Sequence, residues 1–205
     1  MTHKLTTEEM HRMTVEEFRE SEKLPLVVVL DNVRSLNNIG SIFRTSDAFR
    51  VERICLCGIT ATPPHREIHK TALGAEESVA WSYHEDTHEC VKELKEQGYS
   101  IFAVEQVDDS IMLGTENGER RTENGKRKTE NGKRKTESGE RRTENGERRT
   151  AIIFGNEIEG VQESLLPLCD GCLEIPQFGT KHSLNVSCAA AIVIWEMFKK
   201  LKIEN

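Results

Sequence analysis

Asn38, Gly40 and Arg44 share the stretch Asn37-Asn-Ile-Gly-Ser-Ile-Phe-Arg44-Thr, which follows an apolar run and opens a helical pattern. A helix start turns free N–H groups toward an anion, and Gly40 lets another backbone or a ligand approach closely. Arg44 lies one turn further on the same face, where its planar fork suits a phosphate. A capped helix with a solvated arginine fits the same spacing. A second stretch, Ile152-Ile-Phe-Gly155-Asn-Glu157-Ile-Glu-Gly160-Val, runs from an apolar strand into a loop that holds Asn156, Glu157 and Glu159 between glycines. Loops beyond the carboxyl ends of parallel strands are where α/β sheets take ligands, although a turn that needs glycine for its dihedrals reads alike. The third stretch, Leu173 to Trp195, joins a short strand ending at Ile175-Pro176, a polar loop through Gly179 and an apolar helix from about Leu184. Ser183 and Asn185 flank Leu184 and either cap the first turn or face a ligand. Capping needs only one of them.

Such loops need a rigid frame, and the remaining pattern predicts one. Leu26 to Leu30 is a continuous apolar run, as expected of a strand buried on both faces. Further strands are predicted at Arg53–Cys57, Ser100–Val104, Ala151–Phe154 and Cys172–Ile175. Thr7–Glu20, Ile39–Phe49 and Asp86–Gln97 read as helices, the first with Thr14 and Glu17 at capping-box spacing and the last capped by Asp86. Asp31–Asn38 is a polar loop, and Pro63-Pro64 marks a turn. A short helix near Val161–Leu168 and a longer one over Leu184–Lys202 complete an alternation that predicts a parallel sheet covered by helices on both faces.

Composition narrows the class. With 205 residues and 36% hydrophobic content the chain can build one core. No apolar run approaches the roughly 20 residues of a membrane span, and Met1 to Lys23 is too charged for a signal peptide, so a cytoplasmic protein with reduced thiols is expected. Cys55 and Cys57 fall on an apolar strand and Cys188 on an apolar helix; Cys169 and Cys172 form a lone CxxC, a weak zinc or redox signal. From Thr115 to Arg149 a seven-residue unit (TENGERR and close variants) repeats five times with 12 basic and 8 acidic residues, whereas the rest of the chain is strongly acidic. No repeat position is apolar, so no coiled-coil seam can form, and the segment reads as a solvated insertion.

Together the three stretches resemble the SpoU/TrmH family of RNA 2′-O-ribose methyltransferases, in the SPOUT superfamily. The family's motifs occur in order: Asn38-x-Gly40-x-x-x-Arg44, then Phe154-Gly-Asn-Glu157-x-x-Gly160, then Ile175-Pro-x-x-Gly179 to Ser183-Leu-Asn185-Val-Ser. The resemblance covers about Leu26 to Lys202, apart from the repeats. It implies an α/β fold, a parallel sheet flanked by helices with a deep C-terminal trefoil knot, a rare exception to unthreaded chains. It also implies S-adenosyl-L-methionine held in the knot, mainly by backbone groups, at Val104, Gly155, Ile175 and Leu184. Asn38, Arg44, Glu157, Ser183 and Asn185 match the family's catalytic positions. The implied partners are an RNA substrate, with tRNA preferred over rRNA because no separate RNA-binding domain is present, and a second copy in a homodimer. Neither a membrane nor a metal is implied.

On this reading residues 1–24 form an N-terminal helical extension, and residues 25–205 a methyltransferase domain interrupted by a disordered insertion at 115–149. Arg44 stays protonated at neutral pH, so it anchors a phosphate and steadies the developing 2′-oxyanion better than it removes a proton. Two features depart from the pattern: the acidic core opposes phosphate binding, and the repeats interrupt the chain between Leu113 and Ala151, just before the strand that enters the knot. His65 with His69 and His84 with His88 have an i,i+4 spacing open to a metal, although solvated histidines are expected there. A catalytically idle RNA-binding homologue and a base-methylating SPOUT enzyme are the competing readings. Retention of the five polar positions opposes the first, and the ribose-type motifs around Arg44 and Asn185 oppose the second.

Overall fold

The computed structural model describes residues 2–6, 9–114 and 149–201, with the backbone of 120–121 and 127–128. Nearly all of the repeats, and with them the expected disorder of the insertion, lie outside the described residues. The central strand β1 (Leu24–Asp31) is buried almost throughout. Its side chains alternate between two cores: Leu26, Val28 and Leu30 enter one, while Val27 and Val29 enter the other. Each of these wholly buried side chains contributes about 1.5–3 kcal/mol. On one side β1 pairs in parallel with β2 (Val51–Cys57), which pairs with the edge strand β3 (Ala80–His84). Across the molecule lie β4 (Ser100–Val104), β5 (Ile111–Met112), β8 (Thr150–Phe154) and β9 (Gly171–Glu174). The seven parallel strands run β3-β2-β1-β8-β4-β9-β5, and the two-residue antiparallel strands β6 (Arg120–Arg121) and β7 (Arg127–Lys128) extend the last edge.

Helices cover both faces, as the alternation predicts. Toward the first core lie α2 (Leu36–Ala48), α3 (Arg66–Ala72) and α6 (Val186–Leu201), through Ile39, Ile42, Phe43, Ile68, Ala190 and Val193. Toward the second lie α5 (Thr87–Glu96) and a 3-10 turn at Glu163–Leu168, through Val91, Leu94 and Leu165. Asp86 caps α5 by accepting from the His88 amide at 2.9 Å. The N-terminal helix is shorter than the pattern suggests: α1 is Val15–Glu20, because the Thr14–Glu17 capping box fixes its start, and Glu9–His11 form only a turn. Outside the repeats four elements escaped the sequence reading: α3, the four-residue α4 (Ala75–Ser78), β3 and the two-residue β5. Three of the four i,i+4 histidines have other employment. His65 caps α3, His69 meets Glu76 at 2.5 Å, and His88 bonds Asp86 and Ser164 at 2.9 Å. Among the described residues no helix is long and apolar enough to cross a membrane.

Register brings the strand ends together. Leu30 stands beside Phe154, Ala103 beside Ile153 and Val104 beside Leu173, so the loops after β1, β8, β4 and β9 open at one edge. Buried Asp31 steadies that edge, accepting from Thr87 Oγ1 at 2.7 Å, the Gln162 amide at 3.0 Å and Gln162 Nε2 at 2.7 Å. Arg149, the last repeat residue, belongs to the folded frame: its amide oxygen accepts from Ser100, it pairs with Glu52 at 3.2 Å, and it stacks on the Tyr99 ring.

Gly40 sits where α2 crosses α3. A Cβ there would lie 2.1 Å from Thr71 Oγ1 and 2.2 Å from the Ile68 carbonyl oxygen. The close approach that glycine permits is therefore to another backbone. Thr71 can rotate away but the carbonyl cannot, so Gly40→Ala is expected to lower stability by about 1–3 kcal/mol in urea denaturation. An unchanged midpoint would mean that α3 shifts freely, which its packing into the first core opposes.

Candidate active site

Three loops close a cavity of about 480 Å³ at the carboxyl edge of the sheet. The first leaves β4 at Val104 and carries Glu105 and Gln106; the second runs from Gly155 to Gly160; the third from Ile175 to Asn185. Each is fixed by its own bonds. In the second loop Asn156 and Gly160 exchange backbone hydrogen bonds at 3.0 and 3.1 Å, and Asn156 Oδ1 accepts from the amides of Ile158 and Glu159, both at 2.8 Å. Glu105 Oε2 accepts from the Val161 amide at 3.2 Å, joining the first loop to the second. Gln106 Nε2 donates to the His182 carbonyl at 2.8 Å, joining the first to the third.

All four positions implied for the cofactor, Val104, Gly155, Ile175 and Leu184, line this cavity. Gly155 is a point of backbone contact. A Cβ there would lie 1.9 Å from the Gly160 carbonyl carbon and 2.1 Å from the Val161 nitrogen. The lining mixes apolar groups (Leu173, Ile175, Leu184, Ala189) with Glu105, Glu157, Glu159 and Glu174. The cavity has the size of a small-molecule site. Its apolar walls suit an adenosine, and its carboxylates suit a ligand that carries positive charge, as a sulfonium does.

The five side chains implied for catalysis divide into groups. Asn185 Nδ2 donates to Asn38 Oδ1 at 3.1 Å, and Asn38 Nδ2 donates to Glu157 Oε1 at 3.0 Å. Glu157 also accepts from the backbone amides of Ser35 at 3.0 Å and Arg34 at 3.2 Å. The chain of bonds thus ties all three motifs together over long sequence separations. Its carboxylate takes the place of an external anion before α2. Asn185 also caps α6, its Oδ1 accepting from the Ser187 amide at 2.9 Å, while Ser183 lines the cavity. Arg44 is exposed on α2 and is not part of the cavity wall. Glu105 and Gln106 were missed in the sequence; their signal was position, two polar residues directly after a buried strand. The CxxC thiols show no redox poise: burial pushes Cys169 up to about 12 and raises Cys172, so both stay protonated.

Burial opposes ionisation of Glu157, yet the Asn38 amide and the amides of Arg34 and Ser35 outweigh it and lower its pKa below the ordinary 4.5. A depressed carboxylate contributes stability that is present above the unfolded value and lost as pH falls through the folded one. Glu157→Gln is therefore expected to melt below the wild type at pH 7, because its amide cannot accept all three N–H groups. The gap should close as pH drops below 4.5. A gap independent of pH in thermal melts would contradict the charge-based account.

The matches to known proteins agree with this geometry. A model of the SpoU rRNA Methylase family matches residues 25–195. A tRNA (guanosine(18)-2′-O)-methyltransferase of Thermus thermophilus is 30% identical over 188 residues, which span 92% of this chain and 81% of that one. Among solved structures, the A. aeolicus TrmH/SpoU tRNA modifying enzyme superposes with a TM-score of 0.67 at 22% identity, over 91% of this chain and 80% of that one. The AdoMet-bound rRNA methyltransferase of Sinorhizobium meliloti gives 0.66 at 21% identity, over 90% of this chain and 60% of its own length. With its motifs joined in one site and its sequence matched over most of its length, the chain belongs to the SpoU rRNA methylase family.

Proposed function

We propose that the chain transfers the methyl group of S-adenosyl-L-methionine to a ribose 2′-hydroxyl of RNA, with tRNA as the substrate class. The observation that carries this reading is the coincidence of all four cofactor positions on one cavity, with Glu157, Ser183 and Asn185 on its wall. The name of the Thermus thermophilus relative supports the choice of ribose and of tRNA. Val104, Gly155, Ile175 and Leu184 hold the cofactor, which when bound supplies an electrophilic methyl on a sulfonium. Glu105 and Glu157 favour the positive charge, and the Asn185–Asn38–Glu157 bonds keep the second and third loops in register. Holding the reactants in line supplies roughly 7–11 kcal/mol of the barrier. Arg44 engages no carboxylate among the described residues; its guanidinium anchors the phosphate next to the target ribose and stabilises the 2′-oxyanion. The 2′ proton passes to that phosphate or to a polar neighbour. Labelled cofactor incubated with unmodified tRNA and with rRNA fragments tests the substrate class: label in rRNA alone would refute it.

The reading includes a deep C-terminal trefoil knot, within a methyltransferase domain at 25–205 that follows an N-terminal extension and carries the repeats as an insertion. The strand order supports the knot, since β8 inserts between β1 and β4, and β9 between β4 and β5. An experimental structure whose backbone pulls straight from its ends would refute it. It also includes a homodimer in the cytoplasm. Trp195 and Ile192 on α6 are exposed at 46% and 39%, and Trp195 leans on Phe49 at 5.6 Å, an apolar face suited to a second copy. Sedimentation is expected to give a dimer at micromolar concentration and a monomer for Trp195→Glu; a monomeric wild type with full activity would refute the pairing.

A further inference from the structure

Away from the cofactor cavity, a second set of chemistry-bearing side chains converges between the edge of the sheet and α5. Cys55 and Cys57 lie two apart on β2 and so face the same side, into the second core, where Cys90 of α5 meets them. His84 ends β3 and stands level with Cys57 in the register. The Sγ atoms of Cys55 and Cys90 and a ring nitrogen of His84 all lie within 4.8 Å of one another. Ser82 Oγ links two of them, donating to Cys55 Sγ at 3.6 Å and bonding His84 Nε2 at 2.9 Å. The ring nitrogen Nδ1 faces Glu93 of α5 at 3.7 Å.

A core packed only for apolar contact has use for the small thiols but not for an imidazole and a carboxylate aligned behind them. We propose that Cys55, Cys90 and His84, with Cys57 as the fourth donor, form a structural zinc site that clamps the edge strand β3 and helix α5 to β2. The donor set is that of a closed Cys3His site, with bonds of about 2.0–2.3 Å. Glu93 stands where a carboxylate orients a ligating histidine. Among Cys55, Cys90 and His84 the required contraction is small, because a tetrahedron with such bonds places its donors roughly 3.5–4 Å apart. Cys57 packs in the same core cluster as Cys55 and Cys90, and its thiol must swing in to complete the set. His84 is the partly exposed member, so the ion enters from the sheet edge. Cysteine binds a metal ion as the thiolate. Uptake therefore releases protons and weakens as pH falls.

Cobalt(II) titrated into the reduced full-length chain reads the site directly. The expected result is a single saturable site with thiolate-to-cobalt charge-transfer absorption and tetrahedral ligand-field bands, bleached when zinc is added. Cys90→Ser should remove the bands, while Cys188→Ser, at an exposed cysteine, should leave them. Glu93 is exposed, and Glu93→Gln keeps the fold while weakening metal affinity about 10–100-fold. A folded wild type that shows no bands overturns the proposal. So do bands that persist in Cys90→Ser, or mass spectrometry of the purified chain showing a Cys55–Cys90 disulfide in place of metal.

Discussion

Gly155→Ala is expected to abolish S-adenosyl-L-methionine binding, with cofactor affinity down at least about a hundredfold and methyl transfer lost with it. The added Cβ meets backbone on three sides, at 1.9 Å from the Gly160 carbonyl carbon and 2.1 Å from both the Gly160 oxygen and the Val161 nitrogen. No rotamer relieves such a contact, so the loop itself must open. Opening it breaks the paired bonds between Asn156 and Gly160 and pulls Val161 away from Glu105. Two walls of the cavity then move together. Because β8 itself stays buried between β1 and β4, the chain should still fold, less stably by about 1–3 kcal/mol. Calorimetric titration beside a thermal melt separates the two effects. A mutant that binds the cofactor normally would show that the loop is not the cofactor's cradle.

Arg44→Ala is expected to do the opposite. Catalytic efficiency should fall about 10²–10³-fold, the scale of one lost donor to a developing oxyanion. Cofactor affinity should stay within about threefold of the wild type, because Arg44 is exposed on α2 and contributes nothing to the cavity wall. Arg44→Lys keeps the charge but not the fork, so it should recover only part of the loss. Loss of cofactor binding in Arg44→Ala would contradict the division between a pocket that holds the cofactor and a helix that handles the RNA.

The parts of this molecule that were legible in its sequence are those carried by local pattern. The run Leu26–Leu30 announces a strand buried on both faces, and Asp86 and the Thr14–Glu17 pair announce helix starts that the structure keeps. The four cofactor positions came from motif resemblance, and one cavity gathers them. What stayed hidden depends on tertiary context. At the sheet edge, β3 shows neither a continuous apolar run nor clean alternation. Helix α3 spans only seven residues and is capped by a histidine, a residue that does not signal a helix start. Glu157 was singled out in the sequence, but its partners Asn38, Ser35 and Arg34 are more than a hundred residues away in sequence. The thiols and imidazole near the sheet edge come from three separate elements, so no spacing rule joins them.

The most direct test is nucleoside analysis of tRNA incubated with the protein and isotopically labelled S-adenosyl-L-methionine. After digestion to nucleosides, mass spectrometry assigns the label to base or sugar. The account predicts label on the ribose of a single nucleotide, with the adjacent phosphodiester resistant to alkali because its 2′-hydroxyl is blocked. Label on a base, or an unlabelled tRNA under conditions where calorimetry shows the cofactor bound, would contradict it.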